Sequence, residues 1–218
     1  MIIYIPIKEN SQRVPQKNFR DFGGKPLWEH TIDKLKDFEV VVDTDSEEII
    51  KKCIDKKWVL PYYRPEHLRG DTVSVVDLIK NFFDKNPTEE IIVQLHVTSP
   101  FFDVKHLEEV KKKILLYDYD SVFSVDVIQN RFWREENYGL VPINHNPMKL
   151  EQTQDLPKYY MENSYLYAFK QEVLEYGNRI GKNPSYLEVG FPYNLDIDTE
   201  QDWEIVNVIN NLQNGTDN

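Results

Sequence analysis

Lys8, Arg13 and Lys17 punctuate a polar loop that begins where an apolar run, Met1 to Ile7, stops. Between Lys8 and Lys25 there are five cations (Lys8, Arg13, Lys17, Arg20, Lys25) and two anions (Glu9, Asp21), a local charge of +3 in a chain of formal net charge −11. A basic island in an acidic protein suits a small anionic ligand rather than a nucleic-acid track. Cations fixed at the end of a strand can hold a polyphosphate. They also stabilise the charge that accumulates on a pyrophosphate leaving group as an α-phosphoryl group is attacked. Ser11 and the backbone N–H groups of the loop can complete such a cradle.

Complementary chemistry lies far along the chain. Asp196 and Asp198 alternate with Leu195 and Ile197, so an extended backbone turns both carboxylates to one side and the aliphatics to the core. Two carboxylates on one side make a hard oxygen site for magnesium carrying substrate phosphates, an ion that lowers the pKa of an attacking hydroxyl. Thr98-Ser99-Pro100 closes an apolar run with two hydroxyls in a polar turn at a strand end. His96 lies inside that run, where a satisfied core histidine is the ordinary reading, and Gln94 shares its facing in a regular strand. Asp43-Thr44-Asp45 has the Asp-x-Asp spacing of a metal motif but comes after only the second strand, with Ser46 opening a helix. A helix cap or a ribose-side contact is the expectation there. His30, His67, His106 and His145 show no ligand spacing, and Cys53 reads as a small buried hydrophobe in a helical stretch.

The elements that must position these residues alternate between two periods. Met1–Ile7, Val40–Val42, Val59–Tyr62, Ile91–Val97 and Ser121–Val127 read as strands. Leu27–Leu35, Glu47–Lys56, Val73–Phe83 and Val104–Leu116 read as helices. Pro26 suits a first helical turn, and Asp45 or Ser46 can cap the helix that follows. Such alternation predicts an α/β fold: a mostly parallel sheet with helices on both faces, its ligands gathered at the carboxyl ends of the strands. Between Gln129 and Tyr160 the pattern is lost. Asn, Pro, Arg and aromatics (Phe132, Trp133, Tyr138, Tyr159, Tyr160) predict an irregular or antiparallel arm that serves a subunit interface or a substrate lid, or packs on its own domain. Tyr165–Phe169 returns to strand, Leu195 is expected in another short strand, Glu200–Leu212 is a helix and the tail Asn214–Asn218 is expected to fray.

At 218 residues, with 40% hydrophobic and 13% aromatic content, one well-cored domain is expected and disorder is excluded as the default. A lone cysteine excludes an internal disulfide framework and points to a reducing compartment. The apolar start is short and lacks a basic leader, and no run reaches the ~20 apolar residues of a bilayer span. A soluble cytoplasmic protein without membrane or nucleic-acid partners is the expectation.

The ordered set Lys8-x-x-Ser11-x-Arg13-x-x-x-Lys17-Asn18, Gly23-Gly24-Lys25-Pro26-Leu27, Thr44-Asp45, Arg64-Pro65, Thr98-Ser99-Pro100, Gln154-x-Leu156-Pro157, Asn163-x-x-x-Tyr167 and Asp196-Ile197-Asp198-Thr199 resembles the CMP-sugar cytidylyltransferases. That family includes the CMP-sialic acid (acylneuraminate) synthetases. The resemblance implies a single nucleotidyltransferase domain over 1–218 with a Rossmann-like sheet, 129–160 forming a dimerisation or substrate arm of a homodimer. It implies transfer of CMP from CTP to the anomeric hydroxyl of an acidic 2-keto sugar, pyrophosphate release, a magnesium ion on Asp196 and Asp198, and a surface glycan as destination. Lys8, Ser11, Arg13, Lys17, Asn18, Arg64 and Ser74 then fall to the nucleotide, with Lys8, Arg13, Lys17 and Asp198 catalytic. Gln94, His96, Thr98, Ser99, Gln154 and Asn163, together with Lys149, fall to the acceptor. The chain departs from the family at Lys8, usually Arg; at Glu9-Asn10, often Gly-rich; and at His96, where the family has a substrate-contacting Gln. Two rivals stand beside this reading: a nucleotide-sugar glycosyltransferase holding its metal on Asp43-Thr44-Asp45, and a non-catalytic nucleotide-binding module, which an anion at Glu9 would favour.

Overall fold

The computed structural model describes residues 1–215, the last two by backbone alone; of the expected frayed tail, residues 216–218 lie outside the described residues. In chain order come β1 (Ile2–Ile7), a small antiparallel ladder of β2 (Asp21–Phe22) and β3 (Lys25–Pro26), α1 (Leu27–Asp33), β4 (Glu39–Thr44), α2 (Glu47–Ile54) and β5 (Val59–Tyr63). Then follow α3 (Val75–Phe83), β6 (Ile92–Leu95), α4 (Lys105–Leu116), β7 (Ser121–Ile128), β8 (Trp133–Glu136), β9 (Gly139–Pro142), β10 (Tyr159–Phe169), β11 (Pro184–Glu188) and α5 (Glu200–Gly215). Seven strands form one sheet in the order β11-β7-β10-β6-β1-β4-β5. Only β10 runs antiparallel to its neighbours.

The apolar strands are continuous because both faces are buried. Ile3, Ile5, Val40, Val42, Val93 and Leu95 pack against Trp28, Ile32, Ile49, Cys53, Leu107 and Val110 on one side. Tyr4, Val41, Ile92, Tyr167 and Phe169 meet Leu78, Ile79, Phe82 and Phe83 of α3 on the other. Each such side chain removed from water contributes about 1.5–3 kcal/mol, which fixes the β1–β4–β6 register on which the loops hang. Cys53 is fully buried, as its helical position implied.

Three elements differ from expectation. β6 ends at Leu95, so His96 lies just past the ladder. Leu195 joins no strand; its N–H donates to the Pro192 carbonyl at 3.2 Å, and two residues on the Ile197 N–H donates to the Thr98 carbonyl at 3.0 Å. The strand in this region is instead β11, which begins at Pro184 and pairs only with β7; a proline start and a single neighbour mark an edge strand with little periodic signal. The expected arm contains the β8–β9 hairpin and ends on the first residues of β10, Tyr159 and Tyr160.

Candidate functional site

β1 ends at Ile7 and the chain turns into a loop that lines a cleft of about 370 Å³ with Lys8, Ser11, Arg13, Lys17 and Asn18, closed opposite by His96, Val97 and Thr98. Asn18 braces the loop by donating to the Lys8 carbonyl at 2.8 Å. Gln16 takes a left-handed backbone (φ 56°) and starts a short turn of helix that sends Lys17 inward. Lys8 is countered by Asp71 (3.1 Å) and the Gly70 carbonyl (2.9 Å), and Gln12 also donates to Asp71. Gln12 and Asp71 are two further residues that line this cleft. Gln12 sits in the basic loop itself, whereas nothing in the local pattern marks Asp71. Glu9 turns out of the cleft: its N–H donates to Asp45 at 2.8 Å and its carboxylate accepts from Ser46 at 3.4 Å. The anion in the loop sequence is therefore not an anion in the cleft.

Asp196 and Asp198 meet this loop from the far end of the chain. Arg13 pairs with Asp198 at 2.7 Å, and Lys17 lies 3.8 Å from the same oxygen while donating to the Ile197 carbonyl. The segment is held by a reciprocal cap of α5. Asp202 accepts from the N–H groups of Asp198 (3.0 Å) and Thr199 (2.7 Å), and its own N–H donates to the Thr199 hydroxyl at 3.2 Å. Arg20, bidentate to Glu200 at 2.6 and 2.7 Å, ties the same helix to the basic loop. Burial pushes the Lys17 ammonium below its ordinary pKa, against the pull of Asp196 and Asp198. Asp196 Oδ1 is buried with no hydrogen-bond partner among the described residues. A buried carboxylate oxygen without a hydrogen-bond partner, beside a second carboxylate, fits a hard cation held with substrate phosphates. No group of three or more His, Cys, Asp or Glu among the described residues could hold a metal ion by itself.

The acceptor candidates lie beside the loop. Gln94 is fully buried, and its Nε2 stands 2.7 Å from His96 Nε2. Burial pushes His96 below its ordinary pKa, Asp196 opposing this and Arg179 adding to it. Arg179, unremarked in the sequence and 85 positions from Gln94, donates to Gln94 Oε1 at 2.5 Å. Thr98 lines the cleft, and Ser99 is buried just behind it. Asn163 sits where β10 shifts register, next to Ser164 with φ 58°, and its Nδ2 is a buried donor with no partner among the described residues.

A cytidylyltransferase family model matches residues 2–214. The chain belongs to the cytidylyltransferase family. It is 32% identical over 204 residues to N-acylneuraminate cytidylyltransferase A of Danio rerio, covering 89% of this chain and 47% of that protein. It is 28% identical over 219 residues to pseudaminic acid cytidylyltransferase of Campylobacter jejuni, covering 94% of both. The chain thus spans about half the length of the fish relative and nearly all of the bacterial one. Its fold is similar to that of a CMP:2-keto-3-deoxy-manno-octonic acid synthetase complexed with CTP, at TM-score 0.68 and 15% identity over 97% of this chain and 98% of the other.

Other candidates of this cytidylyltransferase-family chain lie off the cleft. Asp43 is fully buried, bonded by Tyr4 and paired with Arg64 Nε at 2.7 Å, and Arg64 Nη2 also donates to the Asp43 carbonyl at 3.0 Å. Burial pushes the Asp43 carboxyl up despite Arg64. With Asp43 enclosed and Asp45 accepting from Glu9, the two carboxylates of Asp43-Thr44-Asp45 do not converge on a metal. Arg64 is itself 1% exposed and braces the end of β4. Ser74 caps α3, accepting from the Asp77 N–H at 3.1 Å. Gln154 and Lys149 lie exposed on the arm, Gln154 donating to Gln152 at 2.6 Å and Lys149 pairing with Glu151 at 3.3 Å.

Proposed function

We propose that this protein transfers CMP from CTP to the anomeric hydroxyl of an acidic 2-keto sugar of the nonulosonate class, releasing pyrophosphate. The observation that carries the proposal is the meeting of two cleft cations, Arg13 and Lys17, with the Asp198 carboxylate at 2.7 and 3.8 Å: cations that suit a triphosphate stand beside a carboxylate that suits its counter-ion. The names of the relatives, N-acylneuraminate and pseudaminic acid cytidylyltransferases, favour this acceptor class.

In this reading the triphosphate displaces the loop's internal partners. Lys8 leaves Asp71, Arg13 leaves Asp198, and both move onto phosphate oxygens, with Lys17, Ser11, Asn18 and loop N–H groups beneath. Lys17 is the strongest contributor, because its charge is already desolvated and so attracts a phosphate with little screening. Asp196 and Asp198 would hold magnesium, which when bound neutralises phosphate charge and lowers the pKa of the attacking hydroxyl. The sugar lies against Thr98, His96 and Asn163, with Ser99 behind Thr98, its hydroxyl in line with the α-phosphorus, and a neighbouring carboxylate takes the hydroxyl proton. Lys8 in place of arginine keeps the charge and gives up bidentate grip. The exposed apolar residues of the arm (Tyr138, Met148, Leu150) form the homodimer interface.

The test is a pyrophosphate-release screen with CTP and magnesium against sialic, legionaminic, pseudaminic and octulosonic acids. Release with one of the nonulosonic acids is expected. Release of UDP from a nucleotide sugar would instead favour a glycosyltransferase, and CTP binding without turnover a non-catalytic module.

A further inference from the structure

Arg179 is remote from the triphosphate loop in sequence and does not line its cleft, yet it is built into place with care. Its guanidinium carbon lies 3.6 Å from the centroid of the Tyr167 ring, a close cation–π stack. The turn that carries it is pinned from several sides. Asn178 Oδ1 accepts from the Arg179 N–H at 2.7 Å, and Asp120 accepts from the N–H groups of Lys182 (2.7 Å) and Asn183 (2.8 Å). A Cβ at Gly181 would collide with the Asp120 carboxylate, so glycine lets the turn close on that anchor.

What Arg179 reaches is the buried amide of Gln94, and the consequence is a matter of donors and acceptors. A guanidinium only donates, so the amide oxygen of Gln94 must face Arg179, as it does at 2.5 Å. The amide nitrogen is thereby aimed at His96 Nε2, 2.7 Å away. An NH2 group can only donate, so Nε2 must be the bare, accepting nitrogen and the ring proton must sit on Nδ1. Nδ1 has no hydrogen-bond partner among the described residues, and the ring lines the cleft. We propose that Arg179 is a positioning residue that, through Gln94, locks His96 as the neutral Nδ1–H tautomer, so that His96 offers the acceptor sugar a hydrogen-bond donor and is unable to serve as the general base. The ring's one lone pair is already spent on Gln94. The acceptor-facing half of this inference rests on the proposed function; the tautomer does not.

Histidine-selective 15N labelling and long-range 1H–15N correlation read the tautomer directly on the whole protein without substrate, the His96 signal being identified by its loss in H96Q. The wild type is expected to show protonated Nδ1 and bare Nε2. Arg179→Lys, which keeps a donor to the Gln94 oxygen, is expected to retain that pattern. Arg179→Met frees the amide to turn and is expected to populate Nε2–H. Gln94→Glu keeps the pair with Arg179 but presents an acceptor to the ring, and is expected to move the proton to Nε2. A wild-type ring protonated on Nε2, or an Arg179→Met or Gln94→Glu variant with the wild-type pattern, would overturn the proposal. With the acid sugar turned over in the screen above, Arg179→Met is expected to raise KM for the sugar about tenfold, the loss of roughly one hydrogen bond, and to leave KM for CTP unchanged. An equal rise in both would overturn the acceptor role. Should no acid sugar be turned over, the function proposed above fails, while the tautomer still decides this one.

Discussion

Asp198 stands between two cations, Arg13 at 2.7 Å and Lys17 at 3.8 Å, and this arrangement makes single substitutions informative. Asp198→Asn keeps the shape and removes the charge; it is expected to abolish magnesium-dependent pyrophosphate release, and undiminished turnover would sink the metal assignment. Lys17→Met removes a desolvated cation from beside the leaving group and is expected to lower kcat by about 10²–10³-fold in the same assay. Asp71 lines the same cleft and pairs with Lys8 at 3.1 Å, so under the proposed function it competes with phosphate for that cation. Asp71→Ala is therefore expected to lower KM for CTP, by up to about fivefold since the pair is exposed. The sequence showed the cations of this site because they fall within one loop. It showed the carboxylates because alternation with Leu195 and Ile197 turns them to one side. Asp71 and Arg179 were hidden because each acts across the fold on a partner 63 or 85 positions away.

Elements bring these residues within reach of one another, and their ends matter more than their middles. α5 begins with a reciprocal cap in which Asp202 also accepts from the Asp198 N–H. Thr199→Ala should therefore destabilise the protein by about 1 kcal/mol and, by loosening Asp198, reduce pyrophosphate release as well. Thermal denaturation and the turnover assay read the two effects separately. Helices and buried strands were legible from periodicity, since a strand covered on both faces must be apolar throughout and a helix covered on one face must repeat. β11 was not legible: it needs only one hydrogen-bonding neighbour, and Leu187 is its one buried residue. The extended run at Leu195 read as a strand because its alternation is real. It joins no strand among the described residues because its backbone is bonded to Thr98 and Lys17 instead.

At the scale of the molecule, burial sets the response to acid. His30 and His106 are both held below the ordinary 6.5 by burial. The unfolded chain takes up these protons near pH 6.5 and the folded chain does not, so stability falls as the pH drops below that value towards the depressed folded pKa values. His106→Gln should flatten this part of a denaturation-versus-pH profile by up to about 1.4 kcal/mol per pH unit. The arm exposes Met148 at 92% and Leu150 at 93%, an apolar surface that a second copy covers in the proposed homodimer. Sedimentation is expected to show a dimer, and Met148→Asp with Leu150→Asp a monomer. None of the described helices is long and apolar enough to cross a membrane. The sequence by itself determined the α/β class, the basic loop and the paired aspartates, because each is encoded by local spacing and local burial. Only the tertiary structure decided that Glu9 faces away from the cleft, that Asp43 is sealed by Arg64 and Tyr4, and that Arg179 governs Gln94 and His96. Those outcomes depend on hydrogen-bond donors and acceptors that meet from distant parts of the chain, and no local pattern records such a meeting.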